Sequence, residues 1–71
     1  MTNSLTNQEK IDIIKSHQKN ISFNQYNLQI NLIEENAKTT PNKEIVDGYN
    51  TQISDIQKQL DALDAELASL S

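Results

Sequence analysis

Cysteine and tryptophan are absent, every one of the six basic residues is a lysine, and there is a single glycine and a single proline in 71 residues. Without cysteine there are no disulfides and no thiolate metal sites, and the redox compartment leaves no trace. Without arginine there is no planar fork for a phosphate or a guanine edge. The lysines are scattered and the net charge is −4, so nucleic acid is not an expected partner. Long apolar runs are also missing. The longest are Ile13-Ile14, Leu32-Ile33 and Ile45-Val46, whereas a membrane-spanning helix needs about 20 apolar residues. The segment from Met1 to Lys10 lacks the apolar core and cleavage signature of a signal peptide. These absences point to a protein that is not secreted through a signal peptide and does not enter a membrane, located in the cytoplasm or within a viral particle.

A chain this short forms one small domain, 1–71, and rarely buries enough apolar area to stand alone. Its scarcity of glycine and proline leaves long stretches free to be helical. The second half is the more regular. Val46, Tyr49, Ile53, Ile56, Leu60, Leu63, Leu67 and Leu70 follow one another in alternating steps of three and four. Such a repeat keeps one apolar stripe turned toward a partner helix, as the a and d positions of a coiled coil do. The intervening residues are polar or alanine, which favours helix over strand. Pro41 suits the first helical position with Thr40 as N-cap, and it disfavours helical geometry just before it. Gly48 falls on the outer face of this helix, at a cost of about 1 kcal/mol relative to alanine.

In the first half, Thr6 and Glu9 have the spacing of a capping box. Beyond it Ile11, Ile14, Ile21, Leu28 and Leu32 lie on a heptad seam, with Gln18, Gln25 and Glu35 in the remaining seam positions. Tyr26, Leu28, Ile30 and Leu32 also alternate with polar residues as a strand would. A lone strand would have nothing to pair with, so helix is the expected state. The fold expected is all-α: a helix over about 7–38, a turn at about 39–41 and a helix over about 41–70, after a lead-in over 1–6. Oligomerisation or a partner would complete it. So short a link makes the helices antiparallel neighbours.

The two seams then imply a register. Glu35 faces Val46, Leu32 faces Tyr49, Leu28 faces Ile53 and Gln25 faces Ile56. Farther from the turn, Ile21 faces Leu60, Gln18 faces Leu63, Ile14 faces Leu67 and Ile11 faces Leu70. Every pair joins an a position to a d position. Lys15 is expected near Asp64 and His17 near Glu66, each exposed pair contributing about 0–1 kcal/mol. Gln18 and Gln25 cost seam stability while fixing its register.

A second stripe, Phe23, Tyr26, Ile30, Ile33 and Ala37, lies opposite the first on helix 1 when turned by about 100° per residue. A hairpin covers one side only. Were helix 1 rotated to pair Ile33 with Val46, Ile30 with Tyr49 and Tyr26 with Ile53, then Leu28 and Leu32 would be left outside. Either way an apolar face remains uncovered, which marks a protein-binding surface.

Chemistry is sparse by comparison. His17 is the only histidine, and no Glu-x-x-His or His-x-x-x-His pair is present to build a metal site. Two helices do not enclose a catalytic pocket. Glu34 is spaced to pair with Lys38. Asp61, Asp64 and Glu66 form an acidic face at the end of helix 2, where the helix dipole disfavours them. Asn20-Ile21-Ser22 matches a glycosylation acceptor only in form. No catalytic, metal or cofactor site is expected. The remaining expectation is a non-enzymatic structural, assembly or adaptor protein. It would pack on itself or on a larger complex, a viral particle included, through the second stripe. The competing expectation is a small acidic regulator that binds and inhibits one soluble target protein.

Overall fold

The computed structural model describes residues 4–71; the first half of the expected lead-in, Met1 to Asn3, lies outside the described residues. It is an all-α helical hairpin: α1 spans Asn7–Asn36 and α2 spans Lys43–Leu70. The principal extents are 55 × 23 × 14 Å, the shape of two helices laid side by side. No strand forms among the described residues. The strand-like alternation from Tyr26 to Leu32 sits inside α1, because no second strand exists to satisfy its backbone groups.

Thr6 caps α1. Its Oγ1 accepts from the Glu9 backbone N–H at 3.1 Å, and its own N–H donates to Glu9 Oε1 at 2.9 Å. Two of the helix's four orphan donors or their neighbours are thereby satisfied reciprocally. These bonds favour the ionised form, so the Glu9 carboxyl lies below its ordinary value, the Thr6 backbone N–H being the main cause. At the other end the Ala37 N–H reaches the Ile33 carbonyl at 3.0 Å and the Lys38 N–H reaches the Glu35 carbonyl at 3.2 Å. No described residue adopts a positive φ, so α1 stops without a left-handed cap.

The start of α2 differs from the sequence expectation. The N-cap is Asn42, not Thr40, and Pro41 lies just before the cap instead of opening the helix. Asn42 Oδ1 accepts from the Glu44 and Ile45 backbone N–H groups at 2.9 and 3.3 Å. Asparagine is among the strongest N-caps because its short side chain reaches these donors directly. The connection is correspondingly longer, running from Ala37 to Asn42, and α1 ends two residues earlier than expected.

One side of each helix turns inward. Ile11, Ile14, Gln18, Ile21, Gln25, Leu28 and Leu32 of α1 are half-buried, as are Val46, Tyr49, Ile53, Ile56, Leu60, Leu63, Leu67 and Leu70 of α2. Among the described residues no apolar side chain is buried; the one buried residue is Glu35, at 6% exposure. Two helices shield one another on one side only, so a closed core cannot form. By surface scaling a compact 8.0 kDa monomer exposes about 4,450 Å², whereas this hairpin exposes 5390 Å².

Candidate interaction face

The cross-helix bonds define how the hairpin presents its outer surfaces. Gln18 Nε2 donates to Asp64 Oδ1 at 2.7 Å, and Gln25 Nε2 donates to Gln57 Oε1 at 3.2 Å. Each lies one residue from a pair expected from the sequence, Gln18–Leu63 and Gln25–Ile56. The two bonds repeat the same geometry one heptad apart on both helices. Gln25 Nε2 also reaches the Ile53 carbonyl at 3.3 Å, and Gln57 Nε2 continues to Asp61 Oδ1 at 3.0 Å. Near the open end Asn7 Nδ2 approaches the Leu70 carbonyl at 3.5 Å, so the free ends of the two helices meet.

Three side-chain pairings expected from the sequence do not form. Asp64 and Glu66 form no ion pair with Lys15 or His17; the ion pairs among the described residues are Lys38–Glu35 and Lys43–Asp47. The seam amide Gln18 is closer to Asp64 and occupies it. Lys38 pairs not with Glu34 but with Glu35 at 2.9 Å. It lies past the C-cap Ala37, where regular i,i+4 spacing no longer holds, and Glu35 is held toward the turn.

Glu35 organises that turn. Its Oε2 accepts from the Asn42 backbone N–H at 2.9 Å while Oε1 meets Lys38 Nζ. The carboxyl consequently lies below its ordinary value, through the Asn42 N–H first and the Lys38 bond second, against the opposing effect of desolvation. Lys38 is raised in turn by Glu35. The sequence placed Glu35 on the seam facing Val46 but offered it no polar partner. An acid at the last seam position before a turn, followed by a Pro-Asn pair, is the signal that could have found this clamp.

The side of α1 turned away from α2 is where apolar surface is left open. Phe23 is 69% exposed, Tyr26 62% and Ile33 62%. Ile30 is half-buried despite its place in the same stripe, flanked by Tyr26 and Ile33 one turn away on either side. Ala37 is exposed at the C-cap, just beyond the helix. The rotated packing is not adopted, since Leu28 and Leu32 are half-buried while Tyr26 and Ile33 are exposed. Ile13 and Ile45 are further exposed apolar side chains, at 46% and 41%. His17 is exposed. Among the described residues no pocket opens, no acidic and histidine side chains gather as a metal cluster, and no helix is long and apolar enough to cross a membrane.

What the geometry defines is a class, a two-helix antiparallel hairpin with an uncovered apolar face on its first helix. Comparison with protein-family models, with curated proteins and with solved structures finds no match to this chain.

Proposed function

We propose that this chain is a non-enzymatic structural or assembly protein that joins a protein complex through the outer face of α1. One observation carries the reading: two aromatic rings and an isoleucine stand more than half exposed in one stripe of a helix whose opposite side is already engaged. Contiguous apolar surface of this kind is costly to leave in water and is characteristic of protein–protein contacts. Aromatic side chains are also the commonest anchors of such contacts, because they bury much area for little lost freedom. The low burial of the hairpin supports the same reading, since covering this face would bring its exposed area toward that of a compact protein.

The test is the size of the native complex. Tagged full-length chain, purified gently from its own cells, should elute in a complex well above its own mass. Phe23→Lys should shift it to smaller size. Elution of the unaltered chain at its own mass, or no response to Phe23→Lys, would sink the proposal.

A further inference from the structure

Resting on the reading of the α1 outer face as a protein-docking surface, we infer that its occupant is a second copy of this chain, packed antiparallel with α1 against α1.

The stripe is self-complementary about a two-fold axis at the level of Leu28. In that arrangement Phe23 of one copy lies beside Ile33 of the other, and Tyr26 lies beside Ile30, each pair occurring twice. A large ring meets a branched aliphatic residue at all four places, so the wider and narrower parts of the stripe interlock. A closed two-fold dimer requires that one patch fit itself in this way.

Charge fixes the direction. Lys19 lies at one end of the stripe and Glu34 flanks the other; both are exposed and neither takes part in an ion pair among the described residues. Antiparallel pairing brings Lys19 of each copy level with Ala37 of the other, about one turn from Glu34. Lys19 then also stands at the C-terminal end of the opposing α1, whose last turn holds no basic residue of its own. A cation there is favoured by the helix dipole. Parallel pairing would instead set Lys19 against Lys19 and Glu34 against Glu34.

The area is sufficient. The exposed parts of Phe23 and Tyr26 amount to on the order of 100–150 Å² each. With Ile30, Ile33 and the polar flanks, two copies would bury on the order of 1,000 Å² in total, the size of a weak, reversible interface. The product is a four-helix assembly in which each α1 is covered on both sides.

Sedimentation equilibrium of the full chain over a wide concentration range, with helix content recorded alongside, tests this. The unaltered chain should form a reversible dimer, and Tyr26→Lys should weaken it at least about tenfold, as loss of a central anchor does. Lys19→Glu and Glu34→Lys should each weaken it by up to about fivefold, and the doubly substituted chain should regain the original affinity. This swap keeps the test valid if Tyr26→Lys impairs folding. A chain that stays monomeric, or a dimer indifferent to Tyr26→Lys, overturns the inference. A double variant no tighter than the single ones overturns the antiparallel arrangement. If the chain is monomeric yet enters a larger complex in a Phe23-dependent manner, self-pairing fails while the docking face stands.

Discussion

Glu35, at the end of the first helix, accepts a hydrogen bond at 2.9 Å from the backbone N–H of Asn42, the residue that caps the second helix. In an ordinary capping box that N–H is satisfied from within the same helix. Here the preceding helix supplies the acceptor, so the end of α1, the turn and the start of α2 are tied together by one carboxylate. Lys38 closes the clamp from the other oxygen.

This clamp gives the hairpin a pH dependence. Glu35 and Glu9 both titrate below their ordinary values. A depressed carboxyl contributes stability that is fully present above its unfolded value, about 4.3, and that is lost as pH falls through the folded value. Thermal unfolding followed by circular dichroism should show a melting temperature that declines in the acid range below that point. Glu35→Gln should show a shallower decline, with the remainder traceable to Glu9. Identical acid profiles for the two chains would show that the carboxylate clamp does not act in solution.

The identity of the second N-cap can be checked by comparing two alanine variants. Asn42→Ala should cost about 1 kcal/mol, or roughly 4–8 °C in melting temperature for a chain of this size. Thr40→Ala should change little, because Thr40 makes none of the capping bonds. A larger effect at Thr40 than at Asn42 would place the cap where the sequence alone suggested it.

Gly48 is an opportunity for stabilisation. A Cβ at this position meets nothing within 4 Å, and φ there is not positive. Gly48→Ala should therefore gain up to about 1 kcal/mol by helix propensity and by restricting the unfolded chain. A denaturant midpoint unchanged or lowered in this variant would reveal a contact at the position that the hairpin itself does not make.

The paired glutamines trade stability for alignment. Replacing Gln25 with leucine removes its bonds to Gln57 and Ile53 and completes the apolar seam. Gln25→Leu should raise thermal stability while loosening the register, visible as extra or broadened amide resonances near the seam. A spectrum as sharp as that of the unaltered chain would show that Gln18 and the turn suffice to set alignment.

Much of this architecture was legible in the residues. The three-and-four spacing from Val46 to Leu70 and the pairing of Thr6 with Glu9 depend on helix geometry, which is local and periodic. Scarce glycine and proline left nothing to interrupt either helix. The stripe of Phe23, Tyr26 and Ile33 was legible for the same reason, since a single partner helix can cover only one side of α1.

The sequence by itself determined that there are two helices, which residues could line their seam, and that some apolar face of α1 would be left without intramolecular cover. The tertiary structure decided which face that is, turning Leu28 and Leu32 inward to half-buried positions and leaving Tyr26 and Ile33 outside. It also decided the partners of Glu35, Lys38, Asp64 and Asn42. The physical reason is one of range. A helix's periodicity follows from neighbours three and four residues apart, whereas the rotation of α1 and the choice between competing acceptors depend on where α2 and the turn bring their groups in space.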